Sequence, residues 1–222
     1  MTVSASHKAC EMSRTNLWYI LFRIGVLFVF ISIYSKQTSF AEESDFAIAA
    51  DLIREKQFVQ AFNIFEQLAQ EHDHDAQFNA AVLLRKGIGR PANYTNALKW
   101  AWLAELGGVT RAADLREEII SLMPEAQLDL VRDQVMAILK TRMDAGDSAV
   151  ILQMADYHLS VKAEPDYKNA YALRALAAAL NIKNASDLRD QIEPELEPAD
   201  LIEAQIIASE LFLSLTWVLE KK

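Results

Sequence analysis

Shifted by 73 residues, the chain aligns with itself. YTNALKWAWLAELGGVTRAADLREEI, from Tyr94 to Ile119, lies over YKNAYALRALAAALNIKNASDLRDQI, from Tyr167 to Ile192, without a gap. Identities fall at Tyr94/Tyr167, Asn96/Asn169, Ala97/Ala170, Leu103/Leu176, Ala104/Ala177, Ala112/Ala185, Asp114/Asp187, Leu115/Leu188, Arg116/Arg189 and Ile119/Ile192. An Ala- and Leu-rich composition gives roughly one identity in ten by chance, so this is an internal duplication. A half-period is visible as well: Ala61 and Ala97 are 36 residues apart, as are Ala76 and Ala112. A period near that length suits one helix-turn-helix unit, which buries its apolar face only against its neighbours.

The periodicity within each unit is helical. Apolar positions recur at three- and four-residue spacing, Gly and Pro fall between the runs, and no stretch alternates with period two for long. Ala-rich helices with few β-branched residues let two backbones approach closely. The spacing predicts helices over 45–55, 57–71, 74–86, 93–106, 111–121, 125–144, 147–160, 166–181, 185–193 and 199–219. Pro124 and Pro198 open the sixth and the last, as helix entry favours. Leu128, Val131, Val135 and Ile138 mark the buried stripe of the sixth. Each half therefore has the plan of a repeat pair followed by a longer helix, with a division into 42–146 and 147–222 after a leader over 1–41.

The segment AQFNAAVLLRKGIGRPANYTNALKWAWLAELG, Ala76 to Gly107, resembles the Sel-one-like repeat, a relative of the tetratricopeptide repeat. The matching features are Ala76, Gln77 and Phe78, the turn glycines Gly87 and Gly89, then Tyr94, Ala97, Trp100, Ala104 and Gly107. Gly87 and Gly89 suit the left-handed conformations that end a helix, and Ala97, Trp100 and Ala104 share one helical face. The second copy departs from the pattern, with SVKAEPD in place of both turn glycines and Leu173 in place of Trp100. The resemblance covers residues 45 to 200. It implies an all-α, right-handed α/α solenoid, and a protein that acts as an adaptor or scaffold for another protein or peptide, often in bacterial envelopes; the residues themselves offer no catalytic group, so neither catalysis nor a cofactor is expected.

Ahead of the repeats, Leu17 to Tyr34 reads LWYILFRIGVLFVFISIY. Arg23 divides it, and the run from Ile24 to Tyr34 has the length of a signal-peptide core while falling short of the ~20 residues that span a bilayer. Ser39 and Ala41 put small side chains at the minus-three and minus-one positions, so cleavage after Ala41 is expected, leaving a periplasmic or secreted chain. The alternative is an uncleaved anchor in the inner membrane; both readings place the repeats outside the cytoplasm. Met12 is an alternative start. Cys10, the sole cysteine, precedes the apolar run, which excludes an intrachain disulfide framework and Cys-rich metal sites. Loss of Lys8, Glu11, Arg14, Arg23 and Lys36 with the leader deepens a formal net charge of −9, and an acidic chain without clustered Lys and Arg is a poor nucleic-acid binder.

Chemistry is sparse. His72, Asp73, His74 and Asp75 form the one cluster with metal-ligand side chains. A polar turn with Asp75 capping the next helix competes with a metal pair at His72 and His74. That pair would be the site of the alternative function, an envelope hydrolase or a small-ligand or metal-binding protein. KGIGRP, Lys86 to Pro91, lacks the Lys-Ser/Thr of a phosphate loop and reads as a turn. Glu193, Glu195 and Glu197 read as a solvated linker, and the repeated Asp114/Arg116 and Asp187/Arg189 as structural ion pairs with neighbouring units. For partner binding, the aromatics on the duplicated helix and the apolar end of the chain, LFLSLTWVLEKK, stand out. Trp100 and Trp102, two apart on a helix, point in nearly opposite directions, which predicts an exposed Trp102. The expected partner-binding residues are Trp102, Tyr171, Leu211, Leu215 and Trp217, the last three offering docking to a partner or a homodimer through the C-terminal helix, against the alternative that this helix folds back to seal the last repeat.

Overall fold

A computed structural model describes the backbone of residues 44–219 and the side chains of residues 45–215; the leader, Cys10 and Ala41 lie outside the described residues, and so does the side chain of Trp217. The chain divides into two compact units, Met1–Asp51 and Leu52–Lys222. Every described regular element is helical. In chain order they are α1 (Ser44–Arg54), α2 (Phe58–Gln70), α3 (His74–Lys86), α4 (Tyr94–Leu106), α5 (Ala112–Ile120), α6 (Glu125–Asp144), α7 (Val150–Ser160), α8 (Tyr167–Ala179), α9 (Ala185–Ile192) and α10 (Pro198–Leu219). A 3₁₀ turn, Glu193–Glu195, precedes α10. No helix among the described residues is long and apolar enough to cross a membrane.

The second unit carries the duplication in its packing. The bounds of α4 and α8 coincide after a shift of 73 residues, and the pairings α3–α4, α4–α5 and α4–α6 recur as α7–α8, α8–α9 and α8–α10. Helix α7 also rests on α6 and α4, which joins the copies into one repeat-like array. Each copy is thus organised around a central helix that must be apolar almost all round. In α4 the buried residues are Ala97, Leu98, Trp100, Ala101, Trp102, Leu103, Ala104 and Leu106.

That sandwiching corrects the expectation for Trp102. Trp100 and Trp102 do point to different sides of α4, but there is core on both sides, and Trp102 is 1% exposed. Tyr171 is buried in α8 for the same reason. The stripe on α6 follows the prediction through Leu128, Val131 and Val135, then shifts one residue, with Leu139 buried and Ile138 half-buried.

The helix ends repeat too. Gly108 after α4 and Asn181 after α8 are equivalent and both adopt positive φ, at 92° and 56°, and the next amide, of Val109 and of Ile182, reaches back to the carbonyl of Ala104 and of Ala177. Gly87 and Gly89 take the left-handed conformations expected of them, at φ 65° and 79°. Asp73, rather than Asp75, caps α3: its carboxylate accepts from the Ala76 amide at 2.7 Å, because a cap sits one residue before the first helical turn.

Asn93 and Asp166 are equivalent caps, accepting from the amides of Asn96 and Asn169 at 3.0 and 3.1 Å. Asp166 differs in being charged. Burial alone would raise its pKa, but Lys162 at 2.8 Å and the side chain and amide of Asn169 hold the carboxyl well below the usual range. A depressed folded value contributes stability that is fully present above the unfolded pKa, about 4, and is lost as pH falls through the folded one. Asp166→Asn keeps the cap, as Asn93 shows, and removes the charge. Denaturant titrations should find this variant about 1 kcal/mol less stable at pH 7, with the gap closing in acid.

Candidate functional site

Two places in the second unit concentrate unusual side chains. The first is the outer end of the array. Helix α10 occupies in the second copy the place of α6 in the first, and Leu128, Val131, Val135 and Leu139 correspond to Leu201, Ala204, Ala208 and Phe212. The inward positions keep their apolar character. Two outward positions change from charged to apolar: Asp129 and Asp133 on α6 are exposed, and their equivalents are Ile202 and Ile206, 61% and 53% exposed, while exposed Leu130 becomes Glu203. Beside this row runs an open groove of about 510 Å³ between α8 and α10, with Tyr171, Ala175, Gln205, Ala208, Ser209 and Phe212 among its lining and Arg189 at its edge.

The expected docking residues on α10 are redistributed accordingly. Leu211 and Leu215 are half-buried, and Leu215 lines a small hollow with Met143, Ile151 and Leu180, so it faces back toward the repeat it follows. The exposed apolar row lies one helix face away and was not among the expected residues. A signal for it existed in the sequence: the 73-residue shift laid over α6 places isoleucines where the first copy has aspartates.

The second place is the junction of α2, α3, α6 and α7. His74 does not stand open for a metal. Its Nδ1 lies 2.9 Å from Gln77 Oε1 and its Nε2 lies 3.2 Å from Gln153 Nε2. Beyond Gln153, Arg142 Nη1 donates to Gln153 Oε1 at 2.8 Å; beyond Gln77, its Nε2 donates to the Ala69 carbonyl at 3.1 Å. A guanidinium can only donate and a carbonyl can only accept, so the direction of all four bonds is fixed. Each amide receives at oxygen and donates from nitrogen, and this assigns His74 as the neutral imidazole with its proton on Nδ1.

The chain joins the two copies through groups largely withdrawn from water. Gln77 is fully buried and Arg142 is 8% exposed. Arg142 is also held by Asp147, whose Oδ2 accepts from Nε and Nη2 at 3.0 and 2.7 Å. Burial pushes against ionisation of Asp147, but Arg142 prevails and keeps its carboxyl below the ordinary value. His72, at φ 70°, sits beside this pair, and burial with the Arg142 charge lowers its pKa. Gly107 closes the other side: a Cβ there would overlap the His74 ring. Among the described residues, no three His, Cys, Asp or Glu side chains gather as metal ligands.

The remaining candidates resolve into structure. Arg116 Nε meets Glu105 of α4 at 3.0 Å, while Arg189 turns to its neighbour Asp190. His158 lies in α7, 3.4 Å from Asp166, its pKa lowered by burial. Glu193, Glu195 and Glu197 are all exposed. No family model and no curated protein matches the chain.

Proposed function

We propose that the chain is a scaffold of Sel-one-like repeats, a right-handed α/α solenoid that holds another protein or peptide in the cell envelope. The observation that carries this reading is the exchange of two exposed aspartates on α6 for two exposed isoleucines on α10. Aspartates at 129 and 133 keep α6 wetted, whereas isoleucines at 202 and 206 leave α10 with an exposed row beside an open groove. A solvated helix face is ordinarily polar, and apolar side chains exposed on it mark a contact surface. The leader ending at Ala41 would carry that surface to the periplasm. The buried polar junction at His74 fits a rigid scaffold, since one ring nitrogen meets Gln77 within α3 and the other meets Gln153 of the second copy.

In-cell crosslinking and pull-down from the envelope fraction test the reading. The full chain should retain one stoichiometric partner, and Ile202→Asp with Ile206→Asp should lose it. Both positions are exposed and carry aspartate in the first copy, so stability should stay within about 0.5 kcal/mol of the parent. A chain truncated before Leu211 should lose the partner too. No partner with the full chain, or equal capture by the double variant, overturns the proposal.

A further inference from the structure

We propose that the groove between α8 and α10 seats an amphipathic helix of a partner protein, laid there as α7 is laid on α4 and α6. This deepens the scaffold reading and rests on it. The duplication places the same two-helix seat twice and, among the described residues, fills it once. In the first copy, α7 lies on α6 and α4, and its Tyr157 hydroxyl donates to the Arg132 carbonyl at 3.1 Å while Arg132 Nε donates to the Val161 carbonyl at 2.9 Å. Beneath it Trp102, Val135 and Leu139 are shut off from water. Their equivalents after 73 residues are Ala175, Ala208 and Phe212, which line the groove and are only half-buried. Gln205 stands in the groove where Arg132 stands under α7.

The residue changes describe the occupant. Ala175 in place of Trp102 leaves room over α8 for a large apolar side chain brought from outside. Ala178 in place of Glu105 takes away the cross-helix carboxylate that Arg116 has, and Arg189, which lines the groove, is held instead by its exposed neighbour Asp190, so a carboxylate on the incoming helix would share that guanidinium. The helix would present apolar residues at i, i+4 and i+7, as α7 does with Val150, Met154 and Tyr157. A second copy of this chain is a poor source: among the described residues, α7 is already seated on α4 and α6, and α3, its equivalent, is packed between α2 and α4.

The probe is a fluorescein-labelled synthetic peptide of residues 147–162, the chain's own seated helix, titrated with the full chain and read by fluorescence anisotropy. Saturable binding is expected, weakened at least tenfold by Gln205→Glu with Ser209→Glu. Both positions are exposed on α10, and the variant's melting curve must match the parent. No saturation up to millimolar chain, or binding that the double variant leaves unchanged, overturns the proposal. Sedimentation showing a dimer that the same variant dissolves also overturns it, by naming a second copy as the occupant. Failure here combined with partner loss in Ile202→Asp/Ile206→Asp leaves the scaffold reading standing on the isoleucine row alone; failure of both experiments removes the scaffold reading itself.

Discussion

Gly89→Ala is expected to cost about 3–4 kcal/mol, the largest effect of any single methyl addition in the α3–α4 turn. Two penalties combine. At φ 79° any L side chain is in the left-handed region, which costs about 1–2 kcal/mol for a residue other than glycine. The added Cβ would also overlap the Phe58 carbonyl and press on Phe62 Cβ at 3.3 Å. The carbonyl belongs to the first turn of α2 and Phe62 is 1% exposed, so neither can swing aside; α2 must shift, at the roughly 1–3 kcal/mol typical of overpacking. Domains of this size have about 5–15 kcal/mol in all, so urea unfolding should show a midpoint lowered by a large fraction. Gly108 supplies the contrast. Its φ is also positive, but a Cβ there meets open space, and the equivalent residue in the second copy is Asn181. Gly108→Asn should therefore cost less than about 1 kcal/mol. Equal losses in the two variants would show that conformation alone, and not the seat against α2, requires glycine at 89.

The fold was largely legible because its determinants are local and repeated. Helical periodicity, turn glycines and prolines place the ten helices to within about three residues at each end, α6 and α3 matching their predicted bounds. The left-handed glycines at 87 and 89 follow from needing to end one helix and begin another within a few residues. What the residues alone did not reveal is how many neighbours each helix has. Trp102 looks exposed if α4 has one buried face; it is buried because α4 packs against α3, α5, α6 and α7. At the last helix, Leu215 lines a hollow with Met143 and Ile151, as the reading in which α10 folds back on its repeat expects. The histidine pair failed for a different reason. Its partner Gln153 lies 79 residues away, and no spacing rule connects a glutamine in the second copy to an imidazole in the first.

Gln77→Glu tests that connection with almost no change of shape. Gln77 is fully buried, accepts from His74 Nδ1 and donates to the Ala69 carbonyl, so the two ends of its amide do opposite jobs. A carboxylate can do only one of them. It would accept from His74 but set a second negative oxygen against the Ala69 carbonyl, at a fully buried position. Escape by moving a second proton onto His74 fails as well: Gln153 would have to turn its oxygen to Nε2, and its amide nitrogen would then face the guanidinium of Arg142. The expected loss is about 2–4 kcal/mol at pH 7, near the cost of stranding a charged group without its partner. The pH dependence carries the sharper claim. Protonation restores a donor toward Ala69, so the new carboxyl has a folded pKa raised above its unfolded value. Its destabilisation is then smallest below about pH 4 and grows as pH rises from there toward the folded pKa. Denaturant midpoints of Gln77→Glu and the parent should converge in acid and separate toward neutrality. A constant gap across that range would mean that the amide at 77 serves packing alone and that the hydrogen-bond chain from Arg142 to Ala69 does not set the direction of the bonds at His74.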